Sequence, residues 1–143
     1  MSPTVAGEIL YIGSCSGVYY AFDRSTGEVL WSYDTAADGA RASFHGDPLI
    51  AGDLVITGSD HTLGGTAYAF DHLTGEVRWT IDVGGLETDL IQASDLVIGG
   101  TSDGSLIALD IATGEQAWSF SNESLRSDRG FALAPALDNG RLY

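Results

Sequence analysis

Tyr20-Ala21-Phe22-Asp23-Arg24-Ser25-Thr26-Gly27-Glu28-Val29-Leu30-Trp31 recurs twice further along the chain. The second copy runs Tyr68-Ala69-Phe70-Asp71 through Thr74-Gly75-Glu76 to Trp79. The third runs Ile107-Ala108-Leu109-Asp110 through Thr113-Gly114-Glu115 to Trp118. The tryptophans are 48 and 39 residues apart.

A second element repeats upstream of each copy. Glu8-Ile9-Leu10-Tyr11-Ile12-Gly13-Ser14 matches Asp53-Leu54-Val55-Ile56-Thr57-Gly58-Ser59 and Asp95-Leu96-Val97-Ile98-Gly99-Gly100-Thr101. A further short apolar stretch, such as Pro48-Leu49-Ile50-Ala51, precedes it. Each unit therefore reads as four short strands joined by turns. The two ends of the chain share a phase: Ser2 to Tyr11 aligns without gaps to Ala134 to Tyr143, at an offset of 132 residues. That offset is three units of about 44, near the roughly 40–50 residues of a propeller blade. The predicted fold is all-β: a β-propeller of about three four-stranded antiparallel blades plus the start of a fourth, in an incomplete ring. The units fall at 2–46, 47–88 and 89–133, with a partial unit at 134–143. Propellers close with roughly 4–8 blades, so the chain is expected to be a piece of a larger one. It should expose apolar blade faces at both ends and self-associate.

The third strand of each unit alternates. Tyr20 and Phe22, Tyr68 and Phe70, and Ile107 and Leu109 fall on one face; Ala21, Ala69 and Ala108 fall on the other. Both faces are apolar, as in a strand covered on two sides. One is bulky and one is small, which lets neighbouring sheets interlock. The fourth strand differs: Val29, Trp31 and Tyr33 share a face opposite Leu30, Ser32 and Asp34. One side is apolar and one is polar, as in an outermost strand. Between the two strands, Asp-x-x-Thr-Gly-Glu supplies a carboxylate for the turn's N–H groups and a glycine for positive φ. It is the signature of a type I hairpin with a bulge. A catalytic or metal role for Asp23, Asp71 and Asp110 conflicts with their recurrence in every unit, since a catalytic group is needed once. No catalytic residue, cofactor ligand or metal ligand is assigned.

Composition narrows the function classes. Twenty acidic against six basic residues give a formal charge of −14. Such a surface repels nucleic-acid phosphate and anionic lipid. No apolar run approaches the roughly 20 residues of a membrane-spanning helix, and no signal peptide is visible at the N-terminus. Cys15 is the only cysteine, which excludes an intrachain disulfide.

The remaining signals read as surface. Gly13-Ser14-Cys15-Ser16-Gly17 has the letters of a nucleophile elbow with cysteine as nucleophile, but an elbow needs a strand-to-helix turn, and the segment aligns with hairpin turns in the other units. His45, His61 and His72 lack metal-ligand spacing. The loop Asp60-His61-Thr62-Leu63-Gly64-Gly65 is longer than its equivalents and is the best unit-specific candidate, although a plain surface loop accounts for it. Asn122-Glu123-Ser124 has the form of a glycosylation acceptor. Arg126 and Arg129 lie close enough to hold an anion, or simply line a solvated connection to Phe131 and Leu133 of the next unit.

Ala-x-Asp-x-x-Thr-Gly-Glu-x-x-Trp, kept in all three units, resembles the tryptophan-docking repeat of the pyrroloquinoline-quinone (PQQ) repeat β-propellers. The resemblance covers essentially the whole chain. It implies that Trp31, Trp79 and Trp118 wedge between blades, seated by Ala21, Ala69 and Ala108 and by Gly27, Gly75 and Gly114. The family includes PQQ- and calcium-dependent alcohol or sugar dehydrogenases. It also includes non-catalytic propellers of the periplasm and cell envelope. A vicinal cysteine pair, a Glu/Asn/Asp calcium set and a further tryptophan to stack on a quinone are absent from this sequence. The expectation is a non-catalytic scaffold that binds proteins or pairs with further blades, without a cofactor. The alternative is a fragment of a quinoprotein dehydrogenase, with PQQ and calcium.

Overall fold

In a computed structural model the structure describes residues 2–39, 42–61, 64–86, 88–121 and 135–143. The first sheet holds β1 (Thr4–Ala6), β2 (Ile9–Gly13), β3 (Val18–Asp23) and β4 (Val29–Asp34), antiparallel and in sequence order. A 3-10 turn, Thr35–Asp38, leads out of it. The second sheet holds β5 (Ser43–Phe44), β6 (Leu49–Ala51), β7 (Leu54–Asp60), β8 (Thr66–Asp71) and β9 (Val77–Asp82). The third holds β10 (Ile91–Ala93), β11 (Leu96–Gly100), β12 (Ser105–Asp110) and β13 (Gln116–Ser121). A two-stranded stub, β14 (Leu137–Asp138) with β15 (Arg141–Leu142), begins a fourth.

These are the four-stranded meanders expected of propeller blades, with one addition. β7 is seven residues long, and β6 pairs only with Leu54 to Ile56. The free length of β7 takes a second short partner, β5, opposite Ser59 and Asp60. Nothing in the period of the sequence announces that strand.

Blades pack large face to small face. Tyr19 and Ala21 of blade one meet Tyr68 and Phe70 of blade two, with Tyr11, Trp31, Phe44 and Val55 completing an aromatic cluster. The rings of Tyr19 and Phe70 stack at 5.6 Å between centroids. Between blades two and three the same positions are aliphatic except for the repeat tryptophan: Ile56, Ala67, Ala69 and Trp79 meet Val97, Ile107 and Leu109. The space there has no room for a water molecule.

The expected double burial of the third strand holds fully for Ala67 to Phe70 of blade two, which has a neighbour on each side. In blade one Tyr20 and Phe22 are only half-buried, because no described sheet covers that face.

Candidate functional site

The Asp-x-x-Thr-Gly-Glu turns have one geometry throughout. One carboxylate oxygen of Asp23 accepts the N–H groups of Ser25 at 2.8 Å and Thr26 at 2.9 Å. Asp71 accepts those of Leu73 and Thr74, and Asp110 those of Ala112 and Thr113. The hydroxyls of Thr26, Thr74 and Thr113 accept the N–H groups of Glu28, Glu76 and Glu115. Gly27, Gly75 and Gly114 each adopt φ +74°, and a one-residue register shift follows in each hairpin. Hydrogen bonds from Ser25, then Thr26, hold the Asp23 carboxyl down at about 2. The Arg78 guanidinium, 2.8 Å away, and the turn N–H groups hold Asp71 well below the usual carboxylate range. The glutamate side chains are exposed, and their backbone carbonyls accept the aspartate N–H at 2.8 Å. The aspartate carboxylates are thus engaged by their own turns.

The tryptophans cross from one blade to the next. Trp31 lies opposite Ala21 in its own sheet, donates its indole N–H to the His72 carbonyl at 3.1 Å, and covers Gly75, where an added Cβ would sit 2.6 Å from the ring. Trp79 repeats this with Ala69, the Ile111 carbonyl at 2.9 Å and Gly114. Trp118 lies opposite Ala108 and is half-buried. A Cβ at Gly27 would meet nothing within 4 Å. Gly27 is therefore the one member of the set with no tryptophan on it.

The other nominated residues are dispersed. Cys15 is exposed in a hairpin turn closed by the Ser14 N–H to Val18 carbonyl bond of 2.9 Å. His45 pairs with Asp60 at 3.0 Å. His61 closes a tight reversal with Gly64 through paired backbone bonds. His72 faces the Tyr11 hydroxyl at 3.1 Å. Among the described residues no three His, Cys, Asp or Glu side chains are grouped to hold a metal. Thr62, Leu63, the Asn122 to Ser124 triplet, Arg126, Arg129, Phe131 and Leu133 lie outside the described residues.

Two polar arrangements escaped the sequence reading. The Asp47 carboxylate accepts the Ser2 N–H, and the Asp89 carboxylate accepts the Asp47 N–H at 2.7 Å. The three residues stand just before β1, β6 and β10, so one hydrogen bond per interface links the starts of successive blades. A hint was available, since Asp47 and Asp89 occupy the same phase of their units. The second arrangement had no sequence signal: the Asp38 carboxylate accepts both the Tyr33 hydroxyl at 2.6 Å and the Tyr68 hydroxyl at 2.9 Å. Burial, then Asp38, raises both phenols, Tyr68 to about 12. Beside this clamp opens a cleft of about 390 Å³ lined by Asp38, Thr66, Tyr68, Thr80, Ile81 and Asp82. It offers hydroxyl groups for hydrogen bonding and the negative charge of two carboxylates.

Among the described residues the repeat aspartates are bound by their own turns, Asp47 and Asp89 by neighbouring backbone, and Trp31 and Trp79 lie on glycine seats.

A family model described as outer membrane protein assembly factor BamB matches residues 1–64 and 59–142. Comparison with curated proteins returned no match by sequence. Among solved structures, BamB from Moraxella catarrhalis is similar at a TM-score of 0.70 and 22% identity, covering 85% of this chain and 35% of that one. Quinohemoprotein alcohol dehydrogenase from Comamonas testosteroni is similar at a TM-score of 0.80 and 18% identity, covering 98% and 30%. The computationally designed Ika4 protein reaches 0.69 and 17%, covering 96% and 78%. The likenesses show the fold, and the chain spans about a third of the length of the two natural proteins. Among the described residues no helix is long and apolar enough to cross a membrane.

Proposed function

Since the chain belongs to the family described as outer membrane protein assembly factor BamB, a family of PQQ-like repeat propellers, we propose that it supplies blades to a non-catalytic scaffold that binds protein partners in the cell envelope. One observation carries this: the repeat's chemically capable groups, its aspartates and buried tryptophans, are consumed in closing turns and joining blades. The family description supports the envelope and a protein partner. The charge of −14 favours a partner with a basic surface. The loops and the Asp38–Asp82 cleft are where such a partner would bind.

The test is a titration of the chain with PQQ and Ca²⁺, followed by absorbance and calorimetry. The expected result is no saturable binding. Stoichiometric uptake with a bound-quinone spectrum would transfer the chain to the dehydrogenase reading.

A further inference from the structure

The docking tryptophan and its glycine seat are the same at both described interfaces. They join blades without distinguishing one blade from another. Chains of similar repeats are prone to misassembly for this reason.

One pair of side chains does distinguish them. Tyr11 of β2 is fully buried, and its hydroxyl donates to the His72 carbonyl at 3.0 Å. The same hydroxyl lies 3.1 Å from Nδ1 of His72. The repeat counterparts of Tyr11 are Ile56 and Ile98, and those of His72 are Arg24 and Ile111. The second interface therefore sets Ile56 and Ile111, in one aliphatic cluster, where the first sets Tyr11 and His72. Tyrosine stands with histidine, and isoleucine with isoleucine.

The count of protons fixes how the first pair works. A phenol has a single proton to donate. Burial, then the charge of Asp71, raises the Tyr11 phenol to about 12, so that proton stays on at neutral pH. It goes to the His72 carbonyl, which also accepts the Trp31 indole N–H at 3.1 Å. The contact with Nδ1 is then satisfied only when Nδ1 carries a proton of its own, because a bare Nδ1 would set its lone pair against the phenol oxygen. The hydrogen bond a histidine makes decides which ring nitrogen is protonated.

We propose that Tyr11 and His72 select blade two as the neighbour of blade one, with His72 held in its Nδ1–H form and donating to the Tyr11 hydroxyl. The wrong neighbours fail for different reasons. Blade one against the turn of blade three sets the Tyr11 hydroxyl beside Ile111, whose carbonyl accepts but whose side chain donates nothing. A turn bearing His72 against Ile56 leaves the Nδ1–H without its acceptor. Each mismatch costs roughly the worth of one hydrogen bond, and specificity is that difference. Ring packing acts in the same direction, since Tyr19 stacks on Phe70 at 5.6 Å and the counterpart of Phe70 in blade three is Leu109. The selection concerns the joining of blades within the chain and is independent of the scaffold role.

The experiment is a double-mutant cycle of Tyr11→Phe and His72→Ile in the full chain, read by urea denaturation, together with nitrogen-15 NMR of the imidazoles. His72→Ile keeps the carbonyl and copies the residue of blade three, and its spectrum identifies the His72 signals. The expected result is that Tyr11→Phe shifts the unfolding equilibrium at least about fivefold further with His72 present than in the His72→Ile background. Neutral His72 should show a protonated Nδ1 and a bare Nε2, a preference that Tyr11→Phe abolishes. A histidine that merely packs at the interface would move neither readout. Additive costs overturn the proposal. So does an Nε2–H form in the unmodified chain, or an Nδ1–H form that survives Tyr11→Phe. If a variant does not fold, the protonated nitrogen of His72 in the unmodified chain decides.

Discussion

The indole of Trp31 lies so close to Gly75 that an added Cβ would come within 2.6 Å of the ring, although the two residues belong to different blades. Trp79 bears the same relation to Gly114, at 2.7 Å. An aromatic side chain therefore seals each described blade-to-blade interface at its rim, with its N–H on a carbonyl of the same turn.

Glycine-to-alanine changes at the three turns should separate by position. Gly75→Ala and Gly114→Ala combine a left-handed alanine with an overpacked ring, and should cost about 2–4 kcal/mol. Gly27→Ala should cost only the backbone term, about 1 kcal/mol. Urea denaturation of dilute, monomeric chain reads this order, and equal losses at all three would contradict it.

The tryptophans should rank in the same way. Trp31→Ala and Trp79→Ala remove a buried ring and its hydrogen bond, for about 3–5 kcal/mol each. Trp118→Ala, half-buried beside an open cavity, should cost clearly less. Phenylalanine at position 31 should recover most of the packing but not the roughly 1 kcal/mol of the bond to His72.

The four-stranded units and their connecting turns were legible in the sequence because they repeat. A carboxylate, a glycine and a tryptophan at fixed offsets appear three times, and repetition separates structural chemistry from a single site. β5 and the Asp38 clamp were not legible. Tyr68 reaches Asp38 across 30 residues and a blade boundary, and no local spacing encodes that approach. The partial exposure of Tyr20 and Phe22 was missed for a related reason: their pattern asks for a neighbour that the described chain does not place there.

Acid should destabilise the fold through its turns. The Asp23 carboxyl is held at about 2 in the folded chain, against about 3.9 when unfolded. A lowered folded value means a contribution that is present above pH ~4 and lost as pH falls toward 2. Asp71 acts in the same direction. Thermal melts across this window should show a falling midpoint, and Asp23→Asn with Asp71→Asn should flatten the fall. An unchanged slope would mean that other carboxylates govern acid unfolding.

The tyrosine clamp makes the converse prediction at high pH. Tyr68 is raised to about 12, by burial first and Asp38 second, so its contribution is present below pH ~10 and lost as pH rises toward 12. In Asp38→Ala the burial remains and the carboxylate does not. Phenolate absorbance at alkaline pH should then rise earlier, with Tyr33 and Tyr68 moving part of the way back toward 10. An unshifted titration would rule out the clamp.

The most direct measurement is a double-mutant cycle between Trp31 and Gly75, read by chemical denaturation of the monomer. If the motif joins blades, Gly75→Ala should cost about 3 kcal/mol with Trp31 present and only about 1 kcal/mol in a Trp31→Ala background, a coupling of about 2 kcal/mol. Additive costs would show that the indole and the glycine do not meet, and would contradict the assignment of the repeat to blade docking.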